Sequence, residues 1–169
     1  RKSMKRTKIR AQHITVLGDG GWGTALSILL SGIGHKVTVW GAFRENIELI
    51  KEKKENAVFL PGVPFPEDIR LTTDMKDAVK GAGIVVIAVP SHVFRLVCKR
   101  YRPHHQEGRT IVSVTKGIEK STLMRMSEVV EDVVGVHANV VVLSGPSHAE
   151  EVARGIPTAV VASSKDPKL

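Results

Sequence analysis

Residues 16–23 read VLGDGGWG, and Gly18, Gly20 and Gly23 within them match the spacing G-x-G-x-x-G. In that spacing the first glycine permits a tight turn and the second lets a pyrophosphate approach the backbone with no Cβ in the way. The third lets the following helix pack close to the strand. Unpaired N–H groups at the new helix start then face the phosphate charge. Glycines also serve ordinary turns, so the flanks decide. Residues 14–18 form a short β-branched and apolar run, WGTALSILL over 22–30 reads as a helix ended by SGIG, and HKVTVW over 35–40 is a second strand. Strand, turn, helix and strand within about 30 residues make one βαβ unit, since parallel strands need such a crossover. A P-loop of the Gly-x-x-x-x-Gly-Lys-Ser/Thr type is absent, which argues against an ordinary P-loop NTPase.

The alternation continues along the chain. A charged helix is expected over 45–54 and an irregular loop with three prolines over 56–66. A short strand over 69–72 and a small helix to residue 80, capped by Thr73 or Asp74, come next. IVVIAV over 84–89 is a buried strand broken by Pro90-Ser91, which open a helix through residue 100. Strands follow at 110–114, 140–143 and 158–162, with helices at 123–134 and up to residue 153. The expected fold class is α/β, a Rossmann-type doubly wound, mainly parallel sheet with helices on both faces.

The 169 residues suit one core, and 42% hydrophobic with 25% charged residues is ordinary for a globular chain. No apolar run reaches the roughly 18 residues that span a bilayer. The net charge of +8 suggests a polyanion partner until it is located. Arg1, Lys2, Lys5, Arg6, Lys8 and Arg10 lie in the first ten positions with no acid, leaving 19 basic against 17 acidic residues in the remainder. Residues 1–11 are accordingly read as a basic, solvated leader and 12–169 as the dinucleotide-binding domain, with no nucleic-acid partner. The single cysteine, Cys98, excludes an intrachain disulfide and reads as a packing residue, and the expected compartment is cytoplasmic. Seven histidines and scattered carboxylates form no metal-ligand spacing.

Several separated strings resemble the amino-terminal domain of bacterial NAD(P)-dependent glycerol-3-phosphate dehydrogenase. They are VLGDGGWGTAL, NAVFLPGVPFP from Asn56, AVPSHVF from Ala88, SVTKGIE from Ser113, and LSGPSHAEEVARGIPTAV from Leu143. The resemblance implies hydride transfer between a nicotinamide cofactor and the pair sn-glycerol 3-phosphate and dihydroxyacetone phosphate. It places Gly20, Gly21 and Trp22 in the cofactor turn, Ala42, Phe43 and Arg44 at the adenosine end, and Pro90 and Phe94 beside the cofactor. Lys116 is implied near cofactor phosphate or substrate, and Gly145, Ser147 and Ala149 face substrate and nicotinamide. The family pattern further implies a helical carboxyl-terminal domain that carries the main catalytic base, a small phosphorylated substrate, and a parent compatible with a homodimer.

Read on their own residues, these positions keep alternatives. Lys116 is either a solvent-exposed turn lysine or a source of positive charge for phosphate and a developing oxyanion. Phe94 also fits a core aromatic, Trp22 a cover for the first helix, and His148 an exposed turn histidine. Trp40-Gly41-Ala42-Phe43-Arg44 carries no acid where NAD sites commonly place one, and Arg44 could pair with a 2'-phosphate. The cofactor is thus expected to be NADP or NAD, with NADP favoured. Two departures stand out: Asp19 must point away from a pyrophosphate or be countered by a cation, and Gly21 offers no hydroxyl. The readings that remain open are a cofactor domain of this dehydrogenase, a non-catalytic nucleotide-sensing or partner-binding domain, and the nucleotide half of another two-domain dehydrogenase.

Overall fold

A computed structural model describes residues 10–169, so nine of the leader's residues lie outside the described residues. The chain runs β1 (His13–Leu17), α1 (Gly21–Gly32), β2 (Lys36–Trp40), α2 (Arg44–Lys53), β3 (Arg70–Thr72), α3 (Met75–Ala78) and β4 (Ile84–Ile87). It continues with α4 (Ser91–Tyr101), β5 (Thr110–Ser113), α5 (Met126–Val134), β6 (Asn139–Ser144), α6 (Ala149–Ala153) and β7 (Val161–Ser164). The strands form one sheet in the order β3-β2-β1-β4-β5-β6-β7. All neighbours are parallel except β6 and β7, which are antiparallel with Ser144 opposite Val161.

Helices cover both faces because successive strand residues point to opposite sides. Leu17, Val85, Ile87 and Ile111 face a cluster with Phe94, Val97, Tyr101, Val129 and Val130 from α4 and α5. Val16, Val39 and Val86 face the other cluster, with Leu26 of α1 and Ile50 of α2. A smaller cluster joins Ala25 of α1, Leu60 and Val63 of the proline loop, and Val152 of α6. The doubly wound expectation is met.

Two elements differ from the sequence reading. The last strand is Val161–Ser164, shifted toward the carboxyl end of the expected 158–162, and it returns antiparallel along β6. The helix expected from residue 123 starts at Met126. Leu123 sits at φ 60, inside a turn closed by the Leu123 N–H donating to the Glu119 carbonyl and by a bridge between Ile118 and Arg125. Glu128 then caps α5 by accepting the Arg125 N–H at 2.8 Å. Between the two candidates for capping α3, Asp74 is the cap, accepting the Asp77 N–H at 2.7 Å.

Candidate cofactor site

The strand order reverses between β1 and β4, and open α/β sheets bind ligands in the crevice at that point. Gly18 stands there at φ 123, and a Cβ on it would lie 2.4 Å from the Ala88 carbonyl oxygen. A Cβ on Gly23 would lie 2.1 Å from the Gly18 carbonyl oxygen, so α1 meets β1 only through a glycine. Gly20 differs: its missing Cβ would meet nothing within 4 Å. Space is therefore kept open above the second glycine while the first and third are closed by backbone.

The first α1 bond runs from the Thr24 N–H to the Gly20 carbonyl at 2.9 Å, and no side chain caps this helix. The N–H groups of Gly21, Trp22 and Gly23 are thus left without intrahelical acceptors at the positive end of a twelve-residue helix. Open space over Gly20 and free donors beyond it fit a dinucleotide pyrophosphate.

The proline loop folds over this turn. Asn56, fully buried, donates its amide to the Asp19 carbonyl at 2.8 Å and to the Thr24 hydroxyl at 2.7 Å, and its Oδ1 accepts the Phe59 N–H at 3.2 Å. The Phe59 carbonyl oxygen consequently comes within 2.6 Å of where a Gly21 Cβ would stand. Gly21 is therefore a close-approach residue, and the loop leaves no room there for a hydroxyl-bearing side chain. Neither Asn56 nor Thr24 was a candidate from sequence, since no local spacing marks a side chain that bonds across 32 residues.

Asp19 does turn away from the cradle. Its Oδ2 accepts the Asn46 amide of α2 at 2.7 Å, next to Gly41 at the end of β2. Ala42, Phe43 and Arg44 are all exposed there, Phe43 at 71%. Pro90 is exposed at the amino end of α4. Phe94, one turn further along α4, is wholly buried in the core under α4 and α5, so it occupies the core-aromatic position and presents no surface to the cradle. Trp22 is half-buried and packs against two core clusters, which matches a cover for α1.

On the other side of the crevice, Lys116 follows β5 and donates to the Ser147 carbonyl at 3.1 Å. The Thr115 hydroxyl donates to the Val89 carbonyl at 2.7 Å, tying the same loop to the end of β4. Ser147 is buried and its hydroxyl donates to the Gly145 carbonyl at 3.4 Å. Ala149 Cβ lies 3.7 Å from where a Gly21 Cβ would stand, so the start of α6, which follows the β6 loop, packs beside the glycine turn. His148 is exposed and makes no side-chain cap to α6.

Lys116 itself is exposed, but its loop is held from below. Arg95 of α4 makes two parallel 2.8 Å bonds to Glu119, and Thr122 donates to the same carboxylate at 2.5 Å. The Arg95 guanidinium and the Thr122 hydroxyl hold the Glu119 carboxyl down at about 2. Asp132 of α5 pairs with the same guanidinium. Sequence reasoning missed this anchor, although Glu119 ends the SVTKGIE string.

A groove of about 650 Å³ runs from Thr115, Lys116 and Gly117 past Val142 and Ser144 to Ser163 and Leu169. No residue of the glycine turn lines it, so the groove adjoins the Lys116 side of the crevice only. Among the described residues no group of three or more His, Cys, Asp or Glu could hold a metal ion, and no helix is long and apolar enough to cross a membrane.

Known proteins share this sequence and fold. The family model described as "NAD-dependent glycerol-3-phosphate dehydrogenase N-terminus" matches residues 13–169. A glycerol-3-phosphate dehydrogenase of Pelotomaculum thermopropionicum is 50% identical over 153 residues, covering 89% of this chain and 44% of that protein. One from Agathobacter rectalis is 46% identical over 156 residues, covering 92% and 46%. The crystal structure of glycerol-3-phosphate dehydrogenase from Coxiella burnetii superposes with a TM-score of 0.87 at 35% identity, over 94% of this chain and 48% of that one. The chain spans about half the length of the curated relatives it matches. It belongs to the family of NAD-dependent glycerol-3-phosphate dehydrogenase N-terminal domains.

Proposed function

We propose that this chain holds the cofactor and one wall of the substrate site in an enzyme interconverting sn-glycerol 3-phosphate and dihydroxyacetone phosphate. The observation that carries the reading is the contact of Lys116 with Ser147. It joins the loops after β5 and β6, and the β6 loop leads into α6, whose first residue, Ala149, lies beside Gly21. This series of contacts, which links a charged side chain suited to phosphate to the glycine turn, supports the reading.

A bound nicotinamide dinucleotide would supply the hydride acceptor or donor. Gly21, Trp22 and Gly23 would offer N–H groups to its pyrophosphate, and Gly20 would keep that approach clear. Phe43 presents an exposed ring at the adenosine end, suited to stacking. An ammonium has three donors, and Ser147 takes one from Lys116. The remaining two can bind the substrate phosphate or stabilise negative charge on the carbonyl oxygen as hydride arrives. Lys116 in this role positions and polarises substrate and is not the proton-transfer base. Gly145 and Ser147, with Ala149, form the wall between substrate and nicotinamide.

Fluorescence titration of the chain with NADH and NADPH, repeated with dihydroxyacetone phosphate and with Lys116→Met, tests the reading. Saturable dinucleotide binding, strengthened by dihydroxyacetone phosphate only when Lys116 is present, is the expected result. Absence of binding by either dinucleotide rejects it. Dinucleotide binding that ignores dihydroxyacetone phosphate in both proteins would instead favour a nucleotide-sensing domain.

A further inference from the structure

We infer that Asp19 makes this chain select NAD(H) over NADP(H), taking the part that an acid at the end of the second strand plays in other Rossmann sites. The inference rests on the dinucleotide reading above and adds which dinucleotide is accepted and why.

The sequence favoured NADP because no acid follows β2. In three dimensions an acid is there. Asp19 Oδ2 and Cγ stand 2.6 and 2.8 Å from the point a Gly41 Cβ would occupy. The carboxylate therefore fills the space of the side chain that residue 41 lacks, having crossed from the turn after β1. Gly41 is what makes the crossing feasible, since a Cβ there would also lie 2.7 Å from Ile47 Cδ1.

Both ends of Asp19 are fixed. Asn56 holds its carbonyl at 2.8 Å and Asn46, in the first turn of α2, holds Oδ2 at 2.7 Å. Phe43 at the start of α2 provides no side-chain cap, so a carboxylate beside this turn also complements the helix dipole. Asp19 Oδ1 makes no hydrogen bond among the described residues and remains available as an acceptor.

The adenosine ribose of a bound dinucleotide lies at the carboxyl end of β2, where an acid accepts hydrogen bonds from its hydroxyls. A 2'-phosphate at that point removes the donor and brings negative charge against a fixed carboxylate. Arg44 is the cation nearest in sequence, but it is exposed and makes no ion pair among the described residues. An exposed, solvent-screened guanidinium offsets little of that repulsion.

Equilibrium titration of the full chain with NADH and NADPH is the test, on wild type, Asp19→Asn, Gly41→Ser and Arg44→Ala. The wild type is expected to bind NADH at least about tenfold more tightly, equivalent to about 1.4 kcal/mol. Asp19→Asn keeps the shape and removes the charge, and should lower the NADH to NADPH preference by about tenfold. Gly41→Ser displaces the carboxylate without altering it and should act in the same direction, which carries the test should Asp19→Asn fail to fold. Arg44→Ala should leave the preference within about twofold. A preference unchanged by both Asp19→Asn and Gly41→Ser, or an NADPH preference abolished by Arg44→Ala, overturns the inference and leaves the dinucleotide reading standing. Failure of the wild type to bind either dinucleotide overturns both.

Discussion

The amide of Asn56 bonds the Thr24 hydroxyl at 2.7 Å inside the protein, fastening the proline loop to the first turn of α1. The same amide reaches the Asp19 carbonyl, so one side chain sets the height of the loop above the glycine turn. Asn56→Ala would leave the buried Thr24 hydroxyl and the Phe59 N–H without these partners. Stability should fall by about 2–3 kcal/mol in urea unfolding, with weaker dinucleotide binding under conditions where the variant stays folded.

Gly20 and Gly23 are expected to separate binding from stability. Gly23→Ala drives a Cβ into the Gly18 carbonyl and should cost about 2–3 kcal/mol or more, because the obstacle is backbone. Gly20→Ala meets open space and Gly20 already has an ordinary φ of −71°. Its thermal midpoint should hardly move while NADH affinity drops about tenfold, as the methyl intrudes on the pyrophosphate.

Lys116→Met nearly keeps the length of an exposed side chain and removes its charge and its bond to the Ser147 carbonyl. Stability should change by less than about 1 kcal/mol. The concentration of dihydroxyacetone phosphate needed to influence NADH binding should rise about tenfold or more, since the phosphate loses a charge-assisted partner.

Glu119 should impart acid sensitivity to the loop below Lys116. Its carboxyl is held at about 2 against an ordinary 4.5, so its contribution is complete above about pH 4.5 and is lost as pH falls toward 2. The stability difference between wild type and Glu119→Gln should therefore be largest above pH 4.5 and shrink toward pH 2. Glu128 is also held at about 2 and titrates through the same window in both proteins, so it cancels in the comparison.

Cys98 should resist thiol reagents until the chain unfolds. It is fully buried, and burial pushes its thiol up to about 12, leaving almost no thiolate at neutral pH. Labelling in native buffer that tracks the unfolded fraction is expected; rapid labelling of folded chain would contradict the burial.

What was legible from sequence follows a physical pattern. Buried parallel strands such as β4 are continuous β-branched runs, and the glycines at 18 and 23 mark places where backbone meets backbone. The turn at 118–125 was not legible, because Leu123 sits at a φ that ordinary residues avoid, inside a turn closed by the bridge between Ile118 and Arg125. Phe94 had two readings from its helix position, and only the packing of α5 against α4 assigned it to the core.

The residues alone determined the alternation of strands and helices, the phosphate turn and the order of its glycines, since those depend on backbone freedom and burial between near neighbours. Tertiary structure decided which distant side chains converge. Sheet order brought the β5 and β6 loops side by side, so that Lys116 meets Ser147, and set Asp19 against Gly41. The acid beside Gly41 at the end of β2 is therefore a carboxylate that reaches across from the turn after β1, which a search along the chain for an acid after β2 could not find.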